Sequence, residues 1–209
     1  MFQSFAEISL TTWAILAGLI IFGAVLFIIT RDHQKWTTRM MANASLCIAL
    51  AFILSYVKLY EMPQGGSVTL ASMLPIFMFA YAYGVAPGLM IGFAYGLLQF
   101  VQGGWFVHPV QFLLDYPLAF AMLGFAGIAR RLPDSWGMIP GVLLGTLLRF
   151  LCAFLTGVFF WGDGAGEQNV LIYSAVYNGT YLIPETAICL AIAMIPQIRR
   201  LSRQLALTK

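Results

Sequence analysis

The sequence predicts an all-α integral membrane protein with seven transmembrane helices. Three observations carry that prediction. Of 209 residues, 61% are hydrophobic and only 9% are charged, whereas a soluble domain carries about 25% charged residues; mean hydropathy is +0.87. The apolar residues fall into stretches close to the length of about 20 residues that a helix needs to cross a bilayer. The basic residues gather in short segments that alternate spans bring to one side of the membrane.

The stretches are residues 8–30, 40–60, 68–83, 86–103, 110–129, 138–161 and 170–195. The first has no basic region before it, is too long for a signal peptide, and is followed by Arg31, Lys35 and Arg39. It therefore reads as a true span that enters from outside. The third is short and carries Pro75, and the last carries Pro184, whose missing N–H can kink a helix. Threading seven spans puts the basic loop 31–39, the Arg130–Arg131 loop and the tail with Arg199, Arg200, Arg203 and Lys209 on one side, the cytoplasm. The loops around 61–67, 103–109 and 162–169 then lie outside, with Glu61, Asp163 and Glu167 and no Lys or Arg. The N-terminus is expected outside and the C-terminus inside.

Composition excludes several function classes. A net charge of +3 is too small to suggest nucleic acid. Cys47, Cys152 and Cys189 all lie within apolar spans, in no disulfide or zinc pattern. No GxxxxGK[ST] phosphate loop, HExxH or GxSxG is present, and the two histidines, His33 and His108, are both in loops. No catalytic set, metal site or cofactor motif can be assembled, so the chain does not read as an enzyme. The glycine-rich run Gly162–Glu167 has no lysine and reads as a flexible loop or lid.

The informative residues are the polar ones inside the spans. A charge in the bilayer interior costs about 2.5–3.5 kcal/mol on insertion scales, so it faces protein or a water-filled cavity and is kept for a reason. Asp115 is the clearest case. His108, Gln111 and Asp115 stand at i, i+3 and i+7, on one face of a helix. Arg149 and Glu185 either pair with each other or meet a ligand. Tyr173, Tyr177 and Tyr181 repeat every four residues, and Ser174, Asn178, Tyr181 and Glu185 form a polar stripe. Asn178 either contacts a ligand or joins two helices. Trp105 and Trp161, at outer span ends, are either interfacial anchors or stacking walls for a ring. This inventory suits a flat, nitrogen-rich small molecule, cationic or rich in donors, rather than a lipid or a bare ion.

The segments Met62–Pro75, His108–Phe120 and Tyr173–Gly179 resemble the thiamine-specific substrate-binding (S) component of energy-coupling factor (ECF) vitamin transporters, over about residues 40–195. The resemblance implies a six-helix substrate-binding domain over 40–209, preceded at 1–39 by an extra transmembrane helix and basic loop. It implies capture of thiamine at the outer face of a bacterial cell membrane. The partners it implies are the lipid bilayer, an ECF transmembrane component and two cytoplasmic ATPase subunits. Asp115 matches an acidic ligand-contacting position, and Tyr116, Arg149, Trp161, Tyr173 and Asn178 match pocket positions. Trp105 matches an aromatic one. Gln111 and Tyr177 join them from the stripes above. Ser45 and Ala49 match the small-xxx-small surface used for docking. One departure is Ala153, where a histidine often stands. It keeps open an S component for a thiamine precursor or another heterocyclic vitamin. A stand-alone secondary transporter is the remaining alternative, and no internal repeat favours it.

Overall fold

The computed structural model of the protein describes residues 36–132, 136 and 138–207. The span expected over 8–30 lies outside the described residues. Six helices follow in the expected order: α1 (Thr38–Ser55), α2 (Leu74–Tyr83), α3 (Val85–Val101), α4 (Pro109–Arg131), α5 (Met138–Phe160) and α6 (Val170–Ala193). A further helix, α7 (Pro196–Leu207), turns away from α6 by 85°.

Local chemistry sets several boundaries. The Thr37 side chain accepts from the Met40 N–H at 3.2 Å and caps α1. His108 Nδ1 accepts from the Val110 N–H at 3.1 Å, and Pro109 follows in the first turn, where its missing N–H costs nothing. The Asn169 side chain accepts from the Leu171 N–H at 2.9 Å at the start of α6.

Two spans differ from expectation. The stretch 40–60 is helical only to Ser55; Lys58–Glu61 forms a strand, β1, paired antiparallel with β2 (Ser67–Thr69). Leu59 and Tyr60 are apolar enough to extend a hydropathy window, yet both are more than half exposed on the hairpin. Lys58 therefore belongs to the end of the molecule expected to lack basic residues, where it pairs with Glu61 at 2.6 Å. The stretch 68–83 is helical only over Leu74–Tyr83, about 15 Å of rise. All ten of those residues are buried within the protein, so α2 is wrapped by other helices and need not match the lipid thickness. Pro184 sits inside α6, which runs on through it as one helix.

The α3–α4 contact positions the site. Gly88, Gly92 and Gly96 repeat every fourth residue on the face of α3 that meets α4. A Cβ on Gly92 would come within 2.3 Å of the Phe120 carbonyl oxygen, and one on Gly96 within 2.4 Å of that of Tyr116. Opposite Gly96, α4 opens into a π turn over Leu114–Leu118, which contains Pro117. Proline offers no N–H and clashes with the carbonyl four residues back, and a π turn accommodates both. Asp115 and Tyr116 lie on this turn.

Candidate substrate-binding site

A cavity of about 150 Å³ opens between α4, α5, α6 and the β1–β2 hairpin. Asp115, Tyr116, Trp105, Arg149, Trp161, Tyr173, Asn178, Gln111 and Tyr177 all line it. A second, larger cavity shares Trp105 and Tyr116 with it and is bordered by Ser55, Lys58, Glu61 and Gln102.

From α4 come the carboxylate and its support. Gln111, fully buried, donates from Nε2 to Asp115 Oδ2 at 2.7 Å and to the Trp105 carbonyl at 3.2 Å. Its Oε1 accepts the Val107 N–H at 3.1 Å. The amide therefore has no rotational freedom left, and it aims the carboxylate. Tyr116 accepts the Trp105 N–H at 2.8 Å, which ties the loop before α4 back onto the π turn. His108, on the same expected face, instead caps α4 and stacks on Phe160 at 5.3 Å, outside the cavity lining.

From α5 come Arg149, Ala153, Thr156 and Gly157, spaced i, i+4, i+7 and i+8 on one helical face. The Arg149 guanidinium lies 4.0 Å from the centre of the Phe120 ring, with Nη1 2.7 Å from Met73 Sδ. The alternative of an Arg149–Glu185 salt bridge is not realised. Among the described residues the one ion pair is Lys58–Glu61. Glu185 instead accepts from the Thr69 backbone N–H and from the Thr69 hydroxyl, the latter at 2.6 Å.

From α6 come the tyrosines and Asn178. Tyr173 donates to Gln64 Oε1 at 3.0 Å, and Tyr177 accepts the Gln64 N–H at 2.9 Å and donates to the Gly65 carbonyl at 3.0 Å. The two tyrosines thus hold the hairpin loop over the cavity. The Gly162–Ala165 turn meets them there: a Cβ on Gly164 would lie 2.6 Å from the Tyr173 hydroxyl and 3.0 Å from Gln64 Nε2. Asn178 donates to the Ser174 carbonyl at 2.9 Å and the Ala153 carbonyl at 3.2 Å, and accepts from Tyr181 at 2.8 Å. It joins α6 to α5 while lining the cavity. Trp105 and Trp161 meet edge to face, 6.2 Å apart at 83°.

Several lining residues were not singled out from the sequence: Gln64, Ser67, Gln99, Phe120 and Thr156. Thr156 was within reach, because its spacing from Arg149 places it on the same face. Gln64 and Ser67 come to the cavity only through the hairpin, which hydropathy does not signal.

Arg149 and Asp115 line the same cavity and neither has an ionic partner within 4 Å among the described residues. A cavity with one carboxylate, one guanidinium and aromatic walls can hold a ring system that bears both donor and acceptor groups.

Comparison with known proteins gives concordant results. The family model described as "Thiamine transporter protein (Thia_YuaJ)" matches residues 41–204. The thiamine transporter ThiT of Bacillus subtilis (strain 168) is 38% identical over 173 residues, covering 76% of this chain and 89% of that protein. The thiamine transporter ThiT of Lacticaseibacillus paracasei is 28% identical over 136 residues, covering 57% and 68%. The fold is similar to a solved structure of ThiT from Listeria monocytogenes, with a TM-score of 0.70 at 23% identity over 80% of this chain and 96% of that one. It is also similar to a solved S component of a bacterial ECF transporter, with a TM-score of 0.55 at 19% identity over 79% and 96%.

Proposed function

The chain belongs to the thiamine transporter protein family, and from that premise we propose that it captures thiamine in the cavity between α4, α5 and α6, as the substrate-binding subunit of an ATP-driven ECF-type uptake transporter. The observation that carries this reading is the pair Asp115 and Arg149, opposite charges in one aromatic-walled cavity with no ionic partner of their own. Thiamine has a thiazolium cation and an aminopyrimidine, two flat rings with a donor and ring acceptors. Asp115 accepts from the amino group or balances the cation, and Trp105 and Trp161 supply π faces.

The cavity end is the outer end in this proposal. Arg39, Arg130, Arg131, Arg199 and Arg200 occupy segments that the positive-inside rule assigns to the cytoplasm. Ser45 and Ala49 are exposed on α1, on one face with Leu46, Leu50 and Ile53. That face is the docking surface for the ECF transmembrane component, which in turn engages two ATPase subunits. Replacing Ser45 and Ala49 together by Trp is expected to leave thiamine binding by the isolated chain unchanged. It should abolish thiamine uptake by the reconstituted complex, because bulk there keeps helix backbones apart. Uptake at the wild-type rate would remove α1 as the docking face.

The direct test is equilibrium binding of thiamine to the purified chain in detergent, followed by quenching of tryptophan fluorescence. Saturable quenching without any partner subunit is expected. Ala153 lines the cavity where a histidine often stands. If a folded sample responds to the isolated pyrimidine alcohol and not to thiamine, the ligand is a precursor and this reading fails.

A further inference from the structure

We propose that Glu185 is a positioning residue for ligand binding: it fixes the root of the hairpin segment that walls the cavity. This rests on the cavity being the thiamine site. Tyr173, Tyr177, Tyr181 and Glu185 stand four residues apart on one face of α6. Each meets the hairpin at a successive level. Tyr173 and Tyr177 hold Gln64 and Gly65. Tyr181 packs so closely on Gly66 that a Cβ there would fall 2.6 Å from its ring. Glu185, 2% exposed, takes the Thr69 N–H and hydroxyl, with the Ser72 hydroxyl 3.4 Å from Oε1.

The levels differ in strength. The hydrogen bonds at Gln64 and Gly65 are neutral, and those to Gln64 are exposed. Those at Glu185 are buried and made to a carboxylate, which makes them about twice as strong. The segment between the two levels, Gly65, Gly66 and Ser67, is cavity wall. Just beyond Thr69, Ala71 holds a left-handed backbone at φ 57°, a conformation L-residues adopt at a cost. The Ser72 N–H bonds to Thr69 Oγ1 at 3.2 Å, which closes this turn around the residue that Glu185 grips. Glu185 is not itself among the residues that line the cavity; it acts through Thr69 on the wall.

The test compares thiamine dissociation rates and Tm of the ligand-free protein for wild type, Glu185→Gln, Glu185→Ala and Thr69→Val. Glutamine keeps one acceptor but turns an amide N–H₂ toward the Thr69 donors. Glu185→Gln is expected to speed dissociation by about tenfold, and Glu185→Ala by about a hundredfold, the range of a lost charge-assisted hydrogen bond. Thr69→Val, which removes only the hydroxyl, is expected to fall near Glu185→Gln. Combining Glu185→Gln with Tyr177→Phe should give a coupled effect, because both act on one segment. A lower Tm with an unchanged dissociation rate in Glu185→Gln and Thr69→Val would mean a purely structural residue and would overturn the proposal, even if Glu185→Ala failed to fold. If the wild type does not bind thiamine, the functional reading itself has failed instead.

Discussion

Asp115→Asn is expected to weaken thiamine binding by about 1.5–3 kcal/mol, the value of a hydrogen bond to a charged group, or roughly ten- to more than a hundredfold in Kd. The substitution preserves shape, so the result isolates charge. Asparagine can still receive the Gln111 Nε2–H that now lies 2.7 Å from Oδ2. Its other end becomes a donor, and no cation lies within salt-bridge distance of the present carboxylate among the described residues. The ligand is therefore the partner that loses most. The same logic predicts the stability of the empty protein: removing a half-buried charge without an ionic partner lifts part of a desolvation cost, so Tm without thiamine should hold or rise. Tryptophan-fluorescence titration and a thermal melt on the same sample check both halves. An unchanged Kd in a well-folded Asp115→Asn protein would show that the carboxylate does not read the ligand.

Much of the site was legible because the membrane makes polar residues conspicuous. Asp115, Arg149 and Asn178 stand out in apolar spans, and the periodicity of 3.6 residues then says which neighbours share their faces. Gln111 was found by its spacing from Asp115, and it is the side chain that aims the carboxylate. Tyr173 and Tyr177 were found by their repeat, but their task of fastening Gln64 and Gly65 depends on a hairpin more than 100 residues away. That hairpin was not legible. Val57, Leu59 and Tyr60 continue the hydropathy of α1, and Val68, Leu70 and Ala71 lead into that of α2, so the strands vanish into the spans on either side. The partner of Glu185 was hidden for the same reason. Charge alone pointed to Arg149, while the carboxylate is held by the backbone and hydroxyl of Thr69. The π turn under Asp115 had a visible cause in Pro117, but proline in a helix also permits a kink or, as at Pro184, an unbroken α6.

Gly92→Leu should prevent the protein from folding. A Cβ on Gly92 would stand 2.3 Å from the Phe120 carbonyl oxygen and 3.0 Å from Ala121 Cα. Both are backbone atoms in the middle of α4, so no rotamer change can make room. Overpacking in a core costs about 1–3 kcal/mol where side chains can yield, and here the two helices would have to separate. Separation is especially damaging in lipid, where close van der Waals packing drives helix association. Gly92→Ala is therefore expected to lose at least about 1–3 kcal/mol, and Gly92→Leu to leave no monodisperse protein. Gly179→Ala is the control: it is also a helical glycine in a span, but its Cβ would meet only Ile183 Cδ1, at 3.5 Å. The effect on function follows from one more contact in the same row. The Gly96 Cβ position lies 2.4 Å from the Tyr116 carbonyl oxygen, on the π turn that carries Asp115. Gly96→Ala should therefore displace that turn and weaken thiamine binding in whatever protein still folds, while Gly179→Ala leaves both fold and affinity intact. Size-exclusion chromatography of the four proteins, followed by thiamine titration of those that elute as single species, checks the series. A monodisperse Gly92→Leu with wild-type affinity would mean that α3 and α4 do not pack through these glycines.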